Sequence, residues 1–227
     1  MLKFIPNLIT ISNLICGCIA LNMTFDNQLK EASYLIGLAG LFDLFDGATA
    51  RWLSITSKIG KQLDSLADLV SFGLVPGAIV FHLIENSSLS NLSFFALLIP
   101  VCSALRLAKF NIDERQEDYF IGLPTPANSF FFCSIPLIMN YQSQSLFASI
   151  LHFPEIILVF TGILSWALVS ELALFSFKFR NINYKENTMR FNFLALSLIL
   201  LLAIKFSAIP ILIVSYIIYS ALFFKKA

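Results

Sequence analysis

At 227 residues, with 58% hydrophobic and 13% charged side chains, the chain is far more apolar than a soluble domain of its length, where ~45–50% is usual. The mean hydropathy is +0.82 and the net charge +1, which excludes a nucleic-acid binder that works through a basic surface. The composition predicts one integral membrane domain over residues 1–227, all-α, a polytopic transmembrane helical bundle.

A bilayer core of about 30 Å requires about 20 apolar helical residues. On that scale the sequence predicts about eight spans, at 5–23, 32–52, 59–84, 92–110, 124–141, 155–177, 191–205 and 208–224. The last two divide one long apolar run at Lys205 and Pro210, and a seven-span chain is the competing count. The first apolar run has no small-residue cleavage site, so no cleavable signal peptide is expected.

The first span opens at Pro6, which suits a helix start. Asn7, Thr10 and Asn13 then recur every three residues as a polar stripe. Such residues hydrogen-bond between helices in membranes, or line a ligand pocket.

Spans two and three carry the densest polar cluster. Asp43 and Asp46 lie three apart, followed by Gly47, Ala50 and Arg51; Gly60, Asp64 and Asp68 lie four apart on one helix face. A short turn near residues 52–57 brings the two helix ends, and so the four carboxylates, together. Clustered carboxylates repel one another, and a hard divalent cation such as Mg²⁺ or Mn²⁺ compensates them while bridging to phosphate oxygens. Arg51 offers a donor fork suited to phosphate, and Gly47 and Gly60 leave room for a ligand. Asp43, Asp46, Asp64 and Asp68 are thus the candidate metal ligands. Pro76 predicts a kink deeper in span three.

The end of span four reads Arg106-Leu-Ala-Lys109-Phe-Asn111, and after a charged loop Gly122-Leu-Pro124-Thr-Pro-Ala-Asn128 opens span five. Span six contains an acidic residue, Glu171, seven residues from Lys178 on the same helix face. A basic loop from Lys178 to Arg190 follows and is expected to meet anionic headgroups. Cys16, Cys18, Cys102 and Cys133 lie in apolar runs and are read as small buried hydrophobes, and His82 and His152 as interfacial side chains. With the N-terminus in the cytoplasm, 13 of the 15 lysines and arginines fall on the inner side, leaving Lys30 and Lys205 outside. Both termini and the aspartate cluster are therefore expected to face the cytoplasm.

The aspartate stretch resembles the signature of the CDP-alcohol phosphotransferases, D-x2-D-G-x2-A-R-x8-G-x3-D-x3-D, at every fixed position. Residues 6–13 are similar to the P-N-x-x-T-x-x-N opening of that family. Val70 to Pro76, Arg106 to Asn111, Phe120 to Ala127 and Ser176 to Lys178 resemble stretches of its bacterial phosphatidylserine synthase branch, with Lys109 and Glu171 as departures. The resemblance covers residues 5–130 well. It implies a catalytic part at about 5–141, with additional C-terminal spans at about 155–224.

The resemblance further implies transfer of the phosphatidyl group of CDP-diacylglycerol to the hydroxyl of L-serine, with release of CMP. Asp68 is then the general base. Asn7, Thr10, Asp46, Gly47, Ala50, Arg51, Gly60 and Asp64 bind CDP-diacylglycerol. Arg106, Lys109 and Pro124 are assigned to serine: a cation for its carboxylate, and a metal-bound aspartate or a carbonyl near Pro124 for its ammonium. A homodimer in the bacterial cytoplasmic membrane is also implied. The motif does not separate serine from glycerol 3-phosphate, inositol or choline. An ion-coupled transporter using intramembrane aspartates is the alternative of another class, although no internal repeat supports it.

Overall fold

The computed structural model describes residues 4–53, 57–113, 119–175 and 187–223. Lys3, Arg115, the basic loop from Lys178 to Lys185, Ser176 and Phe177, Lys225 and Lys226 lie outside the described residues. The fold is an all-α membrane architecture. Among the described residues, four helical stretches are long and apolar enough to cross a bilayer by length and composition: Ile5–Phe25, Lys58–Glu85, Ser90–Ile112 and Arg190–Ala221, the last of them folded back on itself at Lys205.

Helices α1 (Ile5–Phe25) and α2 (Leu29–Trp52) form a hairpin. Asn27 at the turn takes a positive φ of 59°, which asparagine tolerates better than most residues. Small side chains on the facing surfaces, Ala20, Ala32 and Ala39, are fully buried and let the two backbones approach. The third stretch runs α3 (Lys58–Asp68), a π-helical turn (Leu69–Leu74) and α4 (Val75–Glu85) without interruption. The expected irregularity at Pro76 takes this form. Proline has no N–H to give and crowds the carbonyl four residues before it, and the wider turn just ahead of it absorbs the mismatch.

A 3₁₀ stretch (Ser90–Leu97) leads into α5 (Leu98–Ile112). Next come strand β1 (Tyr119–Ile121), α6 (Thr125–Tyr141), the short α7 (Leu146–Leu151) and α8 (Pro154–Val169). Helix α7 went unforeseen; it starts on Ser145, whose Oγ accepts from the Ala148 N–H at 3.1 Å.

The span expected over 155–177 is corrected. Its helix ends at Val169, and strand β2 (Ala173–Phe175) pairs antiparallel with β1. The reason lies in the segment ahead of α6. The Leu123 N–H donates to Ala167 O and the Gly122 N–H to Leu172 O, both at 2.9 Å, so the incoming chain satisfies one carbonyl in the last turn of α8 and one just beyond it. Gly122 has φ +75°, and a Cβ there would stand 2.5 Å from the Leu168 carbonyl, so only glycine fits this cap. Glu171, expected inside the helix, lies beyond its end.

Helices α9 (Thr188–Ile204) and α10 (Ala208–Phe223) divide where expected. At Lys205 the backbone turns through φ 48°, and Phe193 and Tyr216 stack 5.9 Å apart across the pair, so the two run antiparallel. Gln142 at the end of α6 clamps this turn: its Nε2 donates to Ile204 O, and its Oε1 accepts from the Ser207 N–H and Oγ.

Two apolar clusters hold the bundle. One joins α1, α2, the π turn and α4 around Ile36, Phe72 and Ile79; the other joins α4 to α10 around Phe131, Phe132 and Leu164. Many large apolar side chains face outward instead, among them Leu8, Ile15, Leu198, Ile199 and Leu202. That is the expected surface of helices solvated by lipid.

Candidate active site

The site lies where α1, the C-terminal half of α2 and α3 meet. α3 begins on Ser57, whose Oγ accepts from the Gly60 N–H at 2.9 Å and caps the helix. That start sets the register that turns Asp64 and Asp68 toward α2. Carboxylate oxygens of Asp43, Asp64 and Asp68 lie within 4.8 Å of one another. Asp68 is buried, and Asp43 and Asp64 are half-buried.

The polar stripe of α1 meets this cluster step by step. The Asn7 Oδ1 lies 3.0 Å from where a Cβ on Gly60 would stand, so α1 packs directly on the α3 start and a side chain at 60 would push into both Asn7 and the Ser57 cap. One turn on, the Thr10 hydroxyl donates to Asp46 Oδ2 at 2.6 Å, sharing its proton with Pro6 O at 3.0 Å. Further on, Asn13 Nδ2 donates to Asp68 Oδ1 at 3.3 Å, and the Ser71 hydroxyl donates to Asn13 O. Asp46 is therefore held against α1 and is not one of the three carboxylates that converge most closely.

A cleft of about 480 Å³ opens beside the cluster. Asn7, Thr10, Asp46, Gly47, Ala50, Gly60 and Asp64, all expected to bind one ligand, line it together. Arg51 is exposed and leans back along the helix, its Nη1 3.4 Å from where a Cβ on Gly47 would stand. The cleft also takes in Ser57, Lys58 and Lys61. Their signal is present in the sequence, since Lys58 and Lys61 stand three apart on the first turn of α3, but spacing alone does not distinguish it from the inside-positive pattern.

Carboxylates packed this closely in a poorly solvated site repel strongly unless a cation shares them. Their donor set fits one. All three are hard oxygen ligands, and the adjoining cleft leaves room for phosphate oxygens or water to complete a coordination shell.

The residues expected to share an acceptor part company. Arg106 is buried, stacks over the Phe110 ring at 5.6 Å and lies within electrostatic reach of Asp68 and of Tyr216 on α10. Its Nε has no hydrogen-bond partner among the described residues. Lys109 points the other way, exposed, with its Nζ 3.4 Å from Val169 O and 3.9 Å from Glu171. Three residues apart on one helix, the first is drawn into the bundle and the second extends to its surface. Asn111 ties α5 to α3: its Nδ2 donates to Ser65 Oγ, and its carbonyl accepts from Lys61. Pro124 is the residue from which α6 starts.

The family model for CDP-alcohol phosphatidyltransferases matches residues 3–174. The chain belongs to that family. Among curated relatives it is similar to the CDP-diacylglycerol–serine O-phosphatidyltransferase of Bacillus subtilis, 33% identical over 181 residues, which cover 78% of this chain and 93% of the relative. The enzyme of the same name from Methanocaldococcus jannaschii is 37% identical over 148 residues, covering 63% and 66%. That from Mycobacterium leprae is 33% identical over 136 residues, covering 56% of this chain and 45% of the relative. The family match ends within β2, so α9 and α10 stand outside it.

Proposed function

We propose that the chain transfers the phosphatidyl group of CDP-diacylglycerol to the hydroxyl of L-serine, giving phosphatidylserine and CMP. The observation that carries the chemistry is the convergence of Asp43, Asp64 and Asp68 beside a cleft lined by Asn7, Thr10, Asp46 and Gly60. The serine acceptor is supported by the names of the relatives.

In this reading Asp43, Asp46, Asp64 and Asp68 hold Mg²⁺ or Mn²⁺. The ion, when bound, supplies positive charge that makes the phosphorus electrophilic and stabilises departing CMP. Lys58, Lys61 and Arg51 neutralise further phosphate charge at the mouth of the cleft. Asp68 accepts the proton of the serine hydroxyl; the oxygen attacks the phosphorus that bears the lipid, and the pyrophosphate P–O bond breaks toward CMP. Asn13 keeps Asp68 aimed. Arg106 receives the serine carboxylate, with Lys109 and Pro124 at the rim. In this reading the protein works in the bacterial cytoplasmic membrane with eight crossings, the site and both termini on the cytoplasmic side, and pairs as a homodimer among membrane lipid, as the family resemblance suggests.

Purified protein given CDP-diacylglycerol, Mg²⁺ or Mn²⁺ and equal serine, glycerol 3-phosphate and inositol tests this. Headgroup analysis by mass is expected to show phosphatidylserine as the main product and stoichiometric CMP. Phosphatidylserine as a minor product overturns the acceptor, and no CMP with any alcohol overturns the transferase.

A further inference from the structure

Some buried hydroxyls of the bundle are satisfied locally, as where Thr161 donates to Ile157 O and Ser134 to Phe131 O, while Ser165 and Ser220 each leave one hydroxyl without a partner among the described residues. Asn128 is the contrast. It is fully buried, and neither its Nδ2 nor its Oδ1 has a partner among the described residues. Thr125, one turn earlier on the same face of α6, is also fully buried with its Oγ1 unpartnered. A buried amide that forgoes both hydrogen bonds is among the least favourable groups a folded chain can hold, and an absent ligand is one of the few reasons to keep it.

The surroundings say which ligand. Leu123, just before α6, bonds the Ala167 carbonyl, and Lys109, near the end of α5, reaches the Val169 carbonyl. Both helices are thus pinned to the same end of α8, which sets the first turn of α6 level with Arg106. Both also pack on the π turn that follows Asp68. Phe130 of α6 meets Phe72 at 6.2 Å, and a Cβ on Gly73 would stand 3.1 Å from the Ser103 Cβ of α5. Ser103 Oγ and Arg106 Nε, on that face of α5, also lack a partner among the described residues. Two helices flanking the candidate base therefore carry buried donors and acceptors that bond nothing among the described residues.

We infer that Asn128 is a specificity-determining residue for the acceptor, its carboxamide engaging an amino-acid zwitterion: Nδ2 donates to the carboxylate beside Arg106, and Oδ1 accepts from the ammonium. This rests on the serine transferase reading. An amide supplies both functions at one point, which a zwitterion requires and which a phosphorylated polyol, bearing no cation, does not.

The test compares wild type, Asn128→Ala and Asn128→Asp with serine, glycerol 3-phosphate, ethanolamine (no carboxylate) and 3-hydroxypropionate (no ammonium) as acceptors. Asn128→Ala is expected to raise the KM for serine about tenfold or more while leaving the KM for CDP-diacylglycerol within about twofold. Its melting temperature in detergent checks that the variant remains folded. Asn128→Asp should shift preference from serine toward ethanolamine, because a carboxylate repels the serine carboxylate and still accepts from an ammonium. An unchanged serine KM, or a parallel rise in both KM values, with Asn128→Ala overturns the assignment while the transferase stands. Wild type that favours glycerol 3-phosphate over serine overturns both.

Discussion

Asp68 and Asp46 are both buried carboxylates, and α1 treats them differently. Thr10 gives Asp46 a short hydrogen bond that fixes it at the cleft wall, whereas Asn13 gives Asp68 a longer one and leaves it beside Asp43 and Asp64. Substitution should separate their roles. Asp43→Asn, Asp46→Asn and Asp64→Asn are expected to abolish transfer and weaken its dependence on divalent metal, measured by CMP release across a metal titration. Asp68→Asn should cost at least ~10²–10⁴-fold in turnover with CDP-diacylglycerol binding nearly intact. Turnover near the wild-type rate in Asp68→Asn would assign the base elsewhere. Thr10→Val keeps the shape of the side chain and removes the hydroxyl, so it should raise the KM for CDP-diacylglycerol more than it lowers kcat.

The core of this site was legible in the sequence because helical spacing alone puts residues four apart on one face, and a stripe every three residues on another. What spacing does not report is where a neighbouring helix lies. The split between Arg106 and Lys109 depends on α5 ending against α8, and the place of Lys58 and Lys61 in the cleft depends on α1 crossing the α3 start.

At the scale of elements, the helices followed from apolar length, and their irregularities did not. The π turn at Leu69–Leu74 is a response to Pro76 and to packing on α1, α5 and α6. The β1–β2 pair arises because Gly122 lets the chain cap α8, an arrangement between segments some 50 residues apart. Gln142 is a third such device. It sits in a short connection and reads as solvent-facing, yet its amide makes three hydrogen bonds to the α9–α10 turn. That turn includes Lys205, held at a positive φ that a side chain resists. Gln142→Ala removes the clamp and leaves the Ile204 carbonyl and Ser207 N–H without it. It is expected to cost about 1–3 kcal/mol and to lower the melting temperature in detergent. Because the turn lies at the opposite end of the bundle from the aspartates, the KM values of the remaining folded enzyme should not change. A melting temperature equal to wild type would mean that the α9–α10 pair is held by its aromatic contacts alone.

For the whole molecule, the question is which end of the bundle faces the cytoplasm, and the fold adds to what charge counting provides. Lys30 and Lys205 are the two basic residues that the inside-positive pattern leaves over. The structure brings them to one end. Lys30 lies over the Tyr141 ring at 6.0 Å, and Tyr141 packs on Phe206, next to Lys205, at 5.7 Å. Tyr34 joins the same group, which forms an aromatic girdle of the kind found at a bilayer surface. Arg51 stands at the far end of the same helix as Lys30, about 30 Å away at 1.5 Å per residue, and Lys58, Lys61 and Lys109 share its end with the cleft. The two exceptions are therefore neighbours on one surface, as a single orientation requires. Cys18 is exposed, so labelling needs a background with all four native cysteines replaced. In that background Lys205→Cys should react with a membrane-impermeant thiol reagent in intact cells, and Lys225→Cys should react only after permeabilisation. The reverse pattern would place the aspartate cleft outside, where neither CDP-linked donor nor soluble CMP is exchanged with the cytoplasm, and would overturn the orientation together with the proposed route of product release.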